Sequence, residues 1–141
     1  MNQIKISRAT KDDLERLFLL ATEQKEEYKE LSGILTPVLF NSILVCKGLT
    51  RLEKELTPYF KGLQFDYFGQ VNLDRPKIKL NPTQAPLTLL SLKSDEAFKI
   101  RLNNAFLICA NHNLYQVGSY SSLVRECVKR GIKVIENELS E

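Results

Sequence analysis

The one histidine of the chain, His112, lies three residues after Cys109. Cys-x-x-His is half of a zinc-ligand spacing, and Cys127 or Cys46 could extend it. Both Cys109, within Phe106-Leu-Ile-Cys-Ala, and Cys127, within Leu123-Val-Arg-Glu-Cys-Val, instead read as small core residues on apolar faces. No metal site and no cofactor are expected. Arg101 and His112, the pair a helical nuclease would need, are eleven residues apart. That is roughly three helical turns, too far to share one phosphate. His112 reads better as a helix C-terminal residue near exposed carbonyls. Asp12-Asp13 and Glu26-Glu27 read as helix-start and surface acids, and Phe65, Tyr67 and Phe68 as hairpin core before base-stacking groups. Nucleophile elbows, phosphate loops and dinucleotide fingerprints are missing from the sequence. A binding protein, not an enzyme, is expected.

Charge points to what is bound. Residues 1–60 carry nine basic and nine acidic side chains, whereas residues 75–133 carry ten basic against three acidic. A local excess of this kind attracts polyanions, nucleic acid above all, unless it serves only to keep a surface hydrated. Apolar residues make up 43% and charged residues 26% of the 141, the balance of an ordinary folded domain. A single compact domain over 1–141 is expected. The apolar run Leu17–Ala21 is far short of the roughly 20 residues that cross a bilayer. The start, Met1-Asn-Gln-Ile-Lys-Ile6, lacks a signal-peptide stretch, and three widely spaced cysteines suit reduced thiols. A cytoplasmic protein without a membrane partner is the expectation.

These side chains need elements to hold them. Alternation predicts a strand at Gln3–Ser7, and Thr10-Lys-Asp-Asp a helix from Lys11 to about Leu31, stopped by Gly33. Thr36-Pro37 opens a second helix that Pro58 closes. Residues 65–73 and 77–80 alternate around Asp74-Arg-Pro76, which predicts a central β-hairpin. Pro82 and Pro86 mark a connector. Leu87–Lys93 reads as a strand, Ser94-Asp-Glu96 as the start of a helix to about Asn111, and Ser121 or Ser122 as the cap of a last helix through Leu139, with a bend or break at Gly131. The fold class is mainly α with short β-strands: two helical hairpins plus the central β-hairpin.

Two segments also align without gaps at an offset of 83 residues. Lys47-Gly-Leu-Thr-Arg-Leu-Glu-Lys-Glu-Leu56 lies on Arg130-Gly-Ile-Lys-Val-Ile-Glu-Asn-Glu-Leu139. The same shift lays Asp12-Asp13 on Asp95-Glu96 and Ile4 on Leu87. Strand, helix, helix would then occur twice, in halves 3–56 and 87–139 joined by 57–86, and one chain would form a pseudo-twofold object.

The stretch Leu89-Leu-Ser-Leu-Lys-Ser-Asp-Glu-Ala-Phe98, followed by Gly118-Ser-Tyr-Ser-Ser-Leu-Val-Arg-Glu-Cys-Val-Lys-Arg-Gly131, resembles the ribbon-helix-helix family of DNA-binding proteins. The resemblance spans roughly residues 87–135, with a degenerate copy at 3–56 that has Thr36-Pro-Val-Leu-Phe in place of the glycine-serine turn. It implies a two-stranded ribbon entering the major groove and a helix N-terminus on a phosphate. By position it makes Ser91 and Lys93 groove-facing, alternating with core-facing Leu90 and Leu92, while Leu89 puts an apolar residue in the outward register. Ser121 and Ser122 would begin the phosphate-contacting helix, and Arg125 and Lys129 would add backbone contacts. Duplex DNA is thus the expected partner of a regulator. The competing expectation is a helical protein-interaction subunit, of the immunity, anti-defence or complex-assembly kind, binding a protein or a second copy of itself through an exposed apolar patch.

Overall fold

Ser7, Thr36, Asp95 and Ser119 each precede a helix, and each side chain accepts a hydrogen bond from the backbone N–H three residues on. The donors are Thr10 at 3.1 Å, Leu39 at 3.2 Å, Phe98 at 2.8 Å and Ser122 at 3.1 Å. Each bond satisfies an amide that the first helical turn leaves without a partner. The computed structural model, which describes residues 3–31, 33–59, 87–93 and 95–140, is mainly helical. Its elements are β1 (Gln3–Ser7), α1 (Arg8–Gln24), α2 (Glu26–Lys29), α3 (Pro37–Leu56), β2 (Leu87–Ser91), α4 (Glu96–His112) and α5 (Tyr120–Leu139). A 3₁₀ turn at Thr57–Tyr59 carries Pro58 past the end of α3.

The two strands pair antiparallel, Gln3 opposite Ser91 through Ser7 opposite Leu87. Ile4, Ile6 and Leu90 are buried beneath this ribbon, followed by Leu92 just past its end, while Lys5 is exposed. The helices supply the rest of the core, with Phe40 at its centre in edge-to-face contact with Phe18 and Tyr28.

Buried positions repeat between the halves. In α3, Phe40, Leu44, Val45, Gly48 and Leu52 are buried; 83 residues on, so are Leu123, Cys127, Val128, Gly131 and Ile135 of α5. In α1, Leu14, Leu17 and Ala21 are buried; 88 residues on, so are Leu102, Ala105 and Cys109 of α4. Contacts between α3 and α5 exchange partners under the 83-residue shift, which is the reciprocity a twofold axis imposes. A Cβ on Gly48 would collide with the Cys127 carbonyl, and one on Gly131 with the Leu44 carbonyl. Lys47 reaches Glu138 at 2.7 Å while its counterpart Arg130 reaches Glu55 at 2.6 Å. The ion pairs of Glu53 and its counterpart Glu136 do not repeat in the same way: Arg101 holds Glu53 at 2.6 Å, whereas Glu136 is approached at 3.6 Å by Arg16, which matches Arg101 under neither shift. Tyr28 and Tyr115, from the two interhelical connections, lie against Lys47 and Arg130 respectively.

Several boundaries differ from the sequence expectation. The first helix begins at Arg8 because Ser7, not Thr10, caps it, and it ends at Gln24, where Lys25 turns extended before α2. The strand expected over Leu87–Lys93 stops at Ser91. Ser119, not Ser121 or Ser122, caps α5, which runs unbroken through Gly131. The 83-residue shift does not hold in the strands. Under it Ile4 and Ile6 fall three residues short of buried Leu90 and Leu92, an odd displacement, and an odd displacement along a strand reverses the facing. A shift of 86, pairing Ile4 with Leu90 and Ile6 with Leu92, keeps buried on buried. Asp12-Asp13 likewise lie inside α1, while Asp95 is a cap. The central β-hairpin at 65–80 and the connector at 82–86 lie outside the described residues.

Two stability outcomes follow. Gly48→Ala and Gly131→Ala each lower unfolding free energy by about 3 kcal/mol, the upper end of overpacking costs, as read from urea denaturation midpoints. Arg130, assisted by the Tyr115 hydroxyl, holds the Glu55 carboxyl below its ordinary value. The stability this contributes is fully present above the unfolded carboxylate value, about 4.3, and is lost as pH falls through the lower folded value. Glu55→Gln is therefore less stable at neutral pH and loses less than the parent on acidification below about pH 4.3, as followed by circular dichroism.

Candidate nucleic-acid interface

The ribbon's outward side is set by strand alternation: with Ile4, Ile6 and Leu90 turned in, Lys5 is exposed and Ser91 is half-buried. Lys93 follows two residues beyond β2, exposed, with its backbone N–H donating to the Ser42 hydroxyl of α3 at 2.8 Å. The register sets Ser91 opposite Gln3 and Leu89 opposite Lys5. Ser91 therefore ends β2, with Leu90 buried before it, and Lys93 lies past the strand that the sequence reading extended to it, with Leu92 buried between the two.

Arg125 has a partner that the sequence did not suggest. Its Nη1 donates to the Lys5 carbonyl at 3.2 Å, tying α5 to β1. Its counterpart 83 residues earlier is Ser42, so each second helix sends one side chain to the end or edge of a strand. Lys129 lies exposed one turn further along α5.

Ser122 is engaged within its own helix cap. Its hydroxyl accepts from the Gly118 and Ser119 amides at 3.1 and 3.0 Å, and its amide is bound by Ser119 Oγ. The capping box thus uses the Ser122 amide and hydroxyl that the resemblance would offer to a phosphate. Ser121 lies half-buried in the same first turn. Lys5, which sequence reasoning left out of the site, is the exposed cation of β1. The alternation Gln3-Ile4-Lys5-Ile6-Ser7 already carried that signal. Ser7 is occupied as a cap, its hydroxyl 2.8 Å from that of Thr10.

Two clefts flank the ribbon, and they correspond between the halves. One, about 440 Å³, lies between α1, the start of α3 and β2, with Lys11, Leu14, Pro37 and Leu90 in its wall. The other, about 340 Å³, lies between α4, the start of α5 and β1, walled by Lys99, Leu102, Tyr120 and Ile4. The second cleft also contains Leu92 and Val124, so the opening turn of α5 stands beside the ribbon.

The groups that might have done other chemistry are placed as structural parts. Arg101 is spent on Glu53, Thr50 and Cys46 of α3. His112 ends α4 with its ring 4.8 Å from that of Tyr59. Among the described residues, no three histidine, cysteine or carboxylate side chains gather as a metal cage. Burial pushes the Cys109 thiol up to about 11 and the Cys127 thiol up to about 12, which leaves both protonated at neutral pH. No helix among the described residues is long and apolar enough to cross a membrane.

No known protein family, curated protein or solved structure matches the chain significantly. The thiols provide a check on the core around the site. In native protein treated with an aromatic disulfide reagent at pH 8, Cys109 and Cys127 stay unmodified, and both react once denaturant is added.

Proposed function

We propose that the chain is a non-enzymatic regulator that binds duplex DNA, laying the β1–β2 ribbon in the major groove. One observation carries the reading: strands separated by some eighty residues pair into a two-stranded antiparallel ribbon with an apolar underside and a lysine on its outer side. The major groove, about 12 Å wide, admits such a ribbon. Lys5 supplies charge from β1 and Lys93 from just beyond β2, and Ser91 a neutral hydrogen-bonding group. Arg125 buttresses the β1 backbone at Lys5, and Lys129 stands further along the same helix as a phosphate contact. The sequence resemblance to the ribbon-helix-helix family supports the same reading, on a short motif.

A second reading, a helical protein-interaction subunit, is favoured by apolar side chains left in solvent, among them Leu19 in the wall of the cleft between α1 and α3. Leu19 is 60% and Ile34 67% exposed. It requires no affinity for DNA.

A fluorescence anisotropy titration of random-sequence duplex at several salt concentrations separates the two. Under the DNA reading, log affinity falls linearly with log salt, and Lys5→Ala with Lys93→Ala weakens binding to the random-sequence duplex and makes the salt dependence shallower. Absence of binding, or affinity indifferent to salt, rejects the DNA reading in favour of the second.

A further inference from the structure

We infer that one chain occupies one complete DNA site and that this site is non-palindromic. The inference rests on the DNA-binding reading above and concerns what sequence the ribbon selects. Where a ribbon comes from two identical chains, residue i of one strand and residue i of the other meet equivalent base steps, and the site must be a palindrome. Here both strands belong to one polypeptide, and the reciprocal contacts Gly48 with Cys127 and Gly131 with Leu44 close the twofold interface internally. The self-complementary surface that a second chain would use is already filled.

The two halves do not carry the same reading residues. Under the 86-residue shift that keeps Ile4 on Leu90 and Ile6 on Leu92, exposed Lys5 corresponds to Ser91, and Ser7 to Lys93. A lysine donates to guanine acceptors from one half, where a serine hydroxyl, which accepts or donates, faces the equivalent step in the other. The buttresses differ as well: a guanidinium on the Lys5 carbonyl in one half, a hydroxyl on the Lys93 amide in the other. Each half-site is therefore read by different chemistry.

The test combines sedimentation velocity, native mass spectrometry with duplexes of decreasing length, and selection from a randomised duplex library. The expected results are free protein at the 16.2 kDa of one chain, one chain on the shortest bound duplex, and a selected sequence without dyad symmetry. The exchange Lys5→Ser with Ser91→Lys moves the base preference at that step to the opposite half of the selected site. Two chains per shortest duplex, a palindromic selection, a pool without consensus, or an exchange that leaves the selected site unchanged overturns the inference while DNA binding itself stands. Absence of any duplex binding by folded protein removes the DNA reading and this inference together.

Discussion

The backbones of α3 and α5 cross in direct contact at two glycines, and most other positions among the described residues follow from that crossing. Gly48 and Gly131 lack the Cβ atoms that would hold the helices apart, so each lies on a carbonyl of the opposite helix. Backbones this near place Leu44, Val45, Leu52, Cys127, Val128 and Ile135 in contact across a thin seam. The ion pairs at Lys47–Glu138 and Arg130–Glu55 bracket that seam and fix how far one helix can slide along the other. Arg130 binds Glu55 through two nitrogens, at 2.6 and 3.1 Å, and also reaches Glu126 at 3.3 Å. Its geometry is that of a clamp.

Around this seam the chain builds an interface of the kind found between identical subunits, with small departures that show where equivalence is not needed. The connection from α1 to α3 takes twelve residues and includes a short helix, whereas that from α4 to α5 takes seven. The shorter one turns through left-handed backbone at Asn113, Tyr115 and Gln116, an unusual cluster for side chains with a Cβ. That turn sets the Tyr115 ring 4.6 Å from the Arg130 guanidinium and its hydroxyl on Glu55. The longer connection brings Tyr28 to Lys47 by another route. Two different loops deliver an aromatic ring to corresponding cations.

Much of this was legible from residue patterns, and the failures have physical causes. Pro37 and the 83-residue match located α3 and α5, because proline at a helix start and a glycine at a helix crossing are local demands. The strands were found, but their correspondence was not. A gapless comparison cannot register that a shift by an odd number turns a strand over, whereas a helix tolerates it within its 3.6-residue period. The break at Lys25 was hidden by a run of good helix formers; beyond it, Tyr28 of α2 packs on Phe40. At the candidate site, alternation pointed to the extended segment at Leu87–Ser91, while Ser91 and Lys93 were singled out by the family resemblance. Lys5 was masked by the neutral total of its segment, and Arg125's partner lies 120 residues away, beyond what spacing within one segment reveals.

The seam also has a bearing on how the molecule is born. Chains leave the ribosome N-terminus first, at about 5–20 residues per second. The Phe40–Leu52 stripe therefore waits roughly 4 to 17 seconds for its cover, since α5 is synthesised 83 residues after α3. During that interval β1 has an open edge and Gly48 an unfilled notch. The best competitor for both is the same half of a neighbouring nascent chain, whose notch and edge are matched to them. Closure within one polypeptide must outrun exchange between two on the same message.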